Sequence, residues 1–156
     1  MKTFLATEAD TLALGRCLQA CIRGSCVVFL RGDLGAGKTT LVRGFLRAAG
    51  YSLAVKSPTF TLVEEYRLEH QSIFHFDLYR LVDPEEIEWM GLRDYLTGDA
   101  VCFFEWPEKG LGFLPAEDIE VGLRTADAGR VAVITPHSRR GHSIVAKLSI
   151  KCFDQR

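Results

Sequence analysis

The run Gly32-Asp33-Leu34-Gly35-Ala36-Gly37-Lys38-Thr39 carries the spacing G-x-x-x-x-G-K-[ST] of a phosphate-binding loop. The chemistry requires these residue types. Several backbone N–H groups must approach a polyphosphate closely, and a Cβ at the glycine positions would obstruct them or the backbone angles they need. Lys38 brings a point charge to the β- and γ-phosphates, and the Thr39 hydroxyl is a hard oxygen ligand suited to Mg2+. The surroundings agree. Cys26-Val27-Val28-Phe29-Leu30 before the loop reads as a buried strand. Leu41, Val42, Phe45, Leu46 and Ala49 after it fall on one helical face, and Gly50 is a stop. That helix directs its N-terminal partial charge at the phosphates.

Working outward, Thr7 is a helix cap with Asp10 three residues on, and Leu14, Cys17, Leu18, Cys21 and Ile22 form the apolar face of that helix before Gly24 ends it. Ser57-Pro58-Thr59 follows the loop helix, where switch segments of nucleotide hydrolases lie. The strand-like runs 60–67 and 73–79 are too close for a parallel crossover and predict an antiparallel hairpin. Asp83-Pro84-Glu85-Glu86 starts a helix that continues towards Leu96 with a break at Gly91. Val101–Glu105, Ile119–Leu123 and Val131–Thr135 read as strands, and the alternation of Ile144, Ala146, Leu148 and Ile150 suggests an edge strand. The expected architecture is an α/β, three-layer P-loop NTPase sandwich. Its central sheet is mixed, mostly parallel, and includes the antiparallel hairpin.

The chain has 156 residues, 47% of them hydrophobic, which is enough for one domain spanning 1–156. A formal net charge of −1 does not point to a direct nucleic-acid face. No apolar run is long enough to span a bilayer, and the N-terminus turns acidic at Glu8, too early for a signal peptide. Five cysteines without a C-x-x-C pair suggest reduced, buried thiols in a cytoplasmic protein. Four scattered histidines lack zinc-ligand spacing.

A phosphate-binding loop does not hydrolyse unaided; a carboxylate must hold Mg2+ and another group must orient water. Two strands end in carboxylates, at Asp77 and Glu105. In this fold class functional side chains gather at the carboxyl ends of strands. Glu105 then reads as the metal carboxylate and Asp77 as a second metal-shell or water-orienting group; the alternative for each is a strand-end carboxylate that caps a helix or pairs with arginine. Thr59 can sense the γ-phosphate through Mg2+ or belong to an ordinary hydroxyl turn. Trp106 can stack on a nucleotide or partner, or cover the core. Arg80 can reach phosphate or pair with an acid, and His75 reads as a core histidine. No Asn-Lys-x-Asp element for guanine occurs, so ATP is preferred. A small-molecule kinase needs an arginine-bearing lid, and Arg139-Arg140 is the one adjacent arginine pair after the loop. A nucleotide-dependent binding module whose turnover resets a partner complex fits the short chain better.

Four blocks together resemble the bacterial TsaE family: Gly32 through Thr40, Ser57-Pro58-Thr59-Phe60, His75-Phe76-Asp77-Leu78-Tyr79-Arg80-Leu81, and Glu105-Trp106-Pro107-Glu108. Their order and spacing agree from about Thr7 to Arg130. The resemblance implies slow ATP hydrolysis with Mg2+ in the machinery that makes N6-threonylcarbamoyladenosine on tRNA. It implies two protein partners, TsaD and TsaB, with tRNA reached through them and the ATPase resetting their complex. It assigns phosphate to Gly32, Asp33, Gly35, Ala36, Gly37, Lys38 and Thr40, and Mg2+ to Thr39 and Glu105. Asp77 and Trp106 are implied in hydrolysis, Thr59 in a switch-like loop, and Thr11 and Arg130 beside the nucleoside.

Overall fold

The computed structural model describes residues 1–153, with side chains through Ile150. Its elements are β1 (Lys2–Leu5), α1 (Glu8–Cys21), β2 (Cys26–Arg31), α2 (Lys38–Ala48), β3 (Val63–Arg67), β4 (Ser72–Asp77), α3 (Glu86–Trp89), α4 (Leu92–Tyr95), β5 (Ala100–Glu105), β6 (Ile119–Ala126), β7 (Gly129–Pro136) and α5 (Arg139–Phe153). One sheet runs in the order β1-β7-β6-β2-β5-β4-β3. The four central strands β6, β2, β5 and β4 are parallel. Both flanks are antiparallel: the expected β3–β4 hairpin on one side, the β6–β7 hairpin and β1 on the other.

Alternation along the buried strands divides the core in two. Val28, Leu30, Val101 and Phe103 face α1, α2 and α5. Phe29, Phe74, Phe76, Cys102 and Phe104 face the layer of α3 and α4. Phe76 and Phe104 stack with ring centroids 4.5 Å apart, tying β4 to β5 just below the strand ends.

Local signals explain where α1 and α2 sit. Thr7 caps α1, its hydroxyl accepting from Asp10 N–H while Asp10 accepts from Thr7 N–H, a complete capping box. Glycines then let α1 and α2 cross with backbones in contact: a Cβ on Gly15 would run into Leu41 O, and one on Gly44 into Leu12 O. The helix carrying Lys38 and Thr39 is therefore seated on α1 by absent side chains rather than by a cap, since its own N-cap is Gly37.

Three expectations change. The segment around Ile144–Ile150 is the helix α5, not an edge strand: Gly141, Ile144 and Leu148 are buried at helical spacing while Ala146 and Ile150 are exposed. The helix expected from Asp83 towards Leu96 has its expected break at Gly91, where φ is 72°, but is reduced to two short turns, α3 and α4. Cys17, on α1, is disulfide-bonded and not the reduced thiol expected, because approach in space and not sequence spacing decides pairing. Cys21, Cys26 and Cys102 are buried and outside any disulfide, and the Cys152 side chain lies outside the described residues. Among the described residues no helix is long and apolar enough to cross a membrane.

Candidate nucleotide site

The loop between β2 and α2 turns on three glycines with positive φ: Gly32 at 144°, Gly35 at 77° and Gly37 at 106°. A Cβ on Gly32 would strike Leu123 O of β6, whereas one on Gly35 would meet nothing within 4 Å. The loop is thus anchored at its start and open at its middle. At its end, a Cβ on Gly37 would stand 3.3 Å from Arg130 Nε and 3.4 Å from Thr11 Cγ2, so Thr11 and Arg130 are brought to the loop from α1 and β7. Ala36 closes the turn, its N–H donating to Asp33 O at 3.1 Å.

Lys38 is only 4% exposed. Its ammonium donates to Gly32 O at 2.5 Å and Asp33 O at 2.9 Å, and lies 4.5 Å from the centroid of the Trp106 ring. Burial pulls its pKa below the ordinary lysine value, with Glu105 and Asp77 opposing that shift. Trp106 reaches this position through a left-handed backbone, φ 57° and ψ 49°, and its ring is tilted against Tyr79 at 4.9 Å.

Asp77 and Glu105 end parallel neighbours β4 and β5. The Thr39 hydroxyl donates to Glu105 Oε1 at 3.0 Å, and His75 Nε2 lies 2.7 Å from the same oxygen. Thr59 donates to Asp77 Oδ2 at 3.0 Å and shares a 2.8 Å hydrogen bond with Ser57, while Tyr79 N–H donates to Asp77 Oδ1. A cavity of about 280 Å³ is bounded by Lys38, Thr39, Thr59, Asp77, Glu105 and Arg130. Gly35, Gly37, Thr40 and Trp106 also reach it, as does Glu8, which sequence reasoning had not singled out. Asp33 instead contributes its backbone carbonyl, which accepts from both Ala36 and Lys38, and faces a neighbouring groove of about 530 Å³ beside β6. Arg80 does not enter the cavity; its guanidinium stacks on Phe60 at 4.2 Å.

The set suits a phosphorylated ligand with a hard cation. The loop middle is unobstructed, one buried ammonium is satisfied only by loop carbonyls, and the surrounding oxygens are hydroxyls and carboxylates. Fold and site define a P-loop nucleotide-binding protein. Residues 5–132 match the family described as "Threonylcarbamoyl adenosine biosynthesis protein TsaE". The chain is 51% identical to the tRNA threonylcarbamoyladenosine biosynthesis protein TsaE of Haemophilus influenzae over 79% of this chain and 78% of that one. It is 36% identical to the Bacillus subtilis protein of the same name, over 90% and 88%. The crystal structure of Bacillus subtilis YdiB superposes with a TM-score of 0.82 at 29% identity, covering 96% of this chain and 94% of that one. The chain belongs to the TsaE family.

Proposed function

We propose that this chain is the ATPase of tRNA threonylcarbamoyladenosine biosynthesis, hydrolysing ATP slowly and resetting a TsaD–TsaB complex between turnovers. Family membership places it in that pathway. The observation that carries the ATPase reading is the convergence of Lys38, Thr39, Thr59, Asp77 and Glu105 on one small cavity.

In this reading Lys38 leaves the carbonyls of Gly32 and Asp33 for the β- and γ-phosphates, which repay its burial. Backbone N–H groups of Gly35 through Thr40 cradle the phosphates at the head of α2. Thr39 gives its hydrogen to Glu105, so its lone pairs would be free for Mg2+, and Glu105 would offer the ion a carboxylate oxygen. Bound there, Mg2+ supplies Lewis-acid polarisation of phosphate oxygens. Asp77 orients water, and Thr59 reports occupancy by leaving or keeping its bond to Asp77. Trp106 shields the lysine side of the cavity. Arg130 would border the nucleoside, while Thr11, wholly buried, backs Gly37 and does not line the cavity. tRNA is reached through the partners, and the cytoplasm is the compartment this role requires.

A small-molecule kinase is not favoured. Arg140 is held at the far end of the sheet, bonded to the carbonyl and hydroxyl of Ser25 just before β2 begins, so the arginine pair forms no lid over the cavity. Steady-state phosphate release, measured alone, with purified TsaD and TsaB, and with candidate small acceptors, tests the reading. Stimulation by the partners supports it. Phosphate transferred to an acceptor without any response to the partners would overturn it.

A further inference from the structure

His75 is fully buried on β4, and its Nδ1 is the one buried side-chain polar atom among the described residues with no hydrogen-bond partner. An orphaned polar atom in a core costs stability, and leucine would fill the space without it. What the imidazole offers instead is its other nitrogen. Ile73, His75 and Asp77 share one face of β4, and Thr39 on α2 stands across from that face. His75 Nε2 lies 2.7 Å from Glu105 Oε1, the oxygen that also accepts the Thr39 hydroxyl. Since a carboxylate only accepts, Nε2 carries the hydrogen; a hydrogen on Nδ1 would be a buried N–H with no acceptor. Both donors fall on Oε1, and no hydrogen bond described falls on Oε2.

We propose that His75 is a positioning residue for the metal carboxylate. Its Nε2–H clamps Oε1 of Glu105, fixing one orientation of the carboxylate and leaving Oε2 for the cation or its water shell. The clamp also holds the acceptor towards which Thr39 points its hydrogen, so one buried ring sets both oxygen ligands. The inference rests on the assignment of Mg2+ to Thr39 and Glu105 made above. Groups that orient metal ligands in this manner commonly affect metal affinity by about 10- to 100-fold.

The test compares wild type with His75→Leu and His75→Gln. ADP affinity is measured in EDTA and across a Mg2+ titration, and thermal unfolding checks the fold. In EDTA all three proteins bind ADP alike. His75→Leu needs about tenfold more Mg2+ for half-maximal strengthening of ADP binding. His75→Gln, which keeps an N–H donor, falls between the two. A Mg2+ curve for His75→Leu that superimposes on wild type overturns the proposal. So does a glutamine variant that melts like wild type yet needs as much Mg2+ as the leucine variant. Nitrogen NMR of the imidazole in metal-free wild type decides independently of whether the variants fold: a hydrogen on Nε2 supports the clamp, and a ring whose one hydrogen sits on Nδ1 overturns it. A wild-type protein whose ADP affinity ignores Mg2+ overturns the metal assignment itself and the inference with it, an outcome distinct from failure of the variants alone.

Discussion

Asp77 and Glu105 are register partners on β4 and β5, each 4% exposed, and each accepts a hydrogen bond from a threonine hydroxyl, Thr59 of the loop before β3 and Thr39 of α2 respectively. Two carboxylates side by side at a strand-end cavity repel unless cations join them. Lys38 is the nearby buried ammonium, and it is bonded to the loop rather than to either acid. The arrangement suits an additional cation beside the two carboxylates.

Asp77→Asn and Glu105→Gln are therefore expected to lower kcat by about 100-fold while changing ADP affinity far less. Phosphate release and ADP titration of each variant check this. Unchanged kcat in either would leave that carboxylate a strand-end support only. Glu105→Ala should also destabilise the fold by about 1–3 kcal/mol, because the His75 N–H loses its acceptor in a buried site.

Gly15→Ala is expected to lower stability by about 1–3 kcal/mol, since the new methyl meets Leu41 O where α1 crosses α2. The melting temperature should fall by roughly 2–4 °C per kcal/mol. Nucleotide affinity should weaken too, because the displaced helix carries Lys38 and Thr39 at its start. An unchanged melting temperature would mean that the helices separate at little cost.

Trp106 should report occupancy of the site. Its ring lies beneath the Lys38 ammonium, which must move to meet phosphate. The other tryptophan, Trp89, is 73% exposed on α3. A fluorescence change on adding ADP should persist in Trp89→Phe and vanish in Trp106→Phe. The reverse pattern would place the ligand elsewhere.

Burial pushes the Cys102 thiol from 9.0 up to about 12. In the folded chain it stays protonated where the unfolded thiol ionises. This thiol therefore leaves stability unchanged well below pH 9.0 and lowers it as pH rises from there towards about 12. Comparing urea unfolding of wild type and Cys102→Ala from pH 8 to 10.5 isolates this group. Wild type should lose stability more steeply, by up to about 1.4 kcal/mol per pH unit. Parallel slopes would show that the thiol ionises in place.

Features governed by neighbours in sequence were legible. The capping box at Thr7 and Asp10, the glycine loop, the β3–β4 hairpin and the carboxylates ending β4 and β5 all depend on short spacings. Features governed by distant partners were not. β1 is four residues long and is held by pairing with β7 across the length of the chain. In α5, Ile144 and Leu148 satisfy a period of two and a helical period alike, and packing of that helix on α1 and β7 settles which applies. His75 reads as an ordinary core residue until β5 lies beside β4 and delivers Glu105 to its ring. The ring contact of Tyr79 with Trp106 likewise joins two strand ends that only the sheet makes adjacent.

If ATP is bound and hydrolysed where Lys38 meets Thr39, Asp77 and Glu105, loss of the Lys38 ammonium should abolish turnover. Phosphate release at saturating ATP and Mg2+, with TsaD and TsaB present, should be compared between wild type and Lys38→Ala. Hydrolysis by the wild-type protein and a rate at background for the variant are expected. Wild-type turnover by Lys38→Ala would contradict that assignment, because no other buried cation borders this cavity among the described residues.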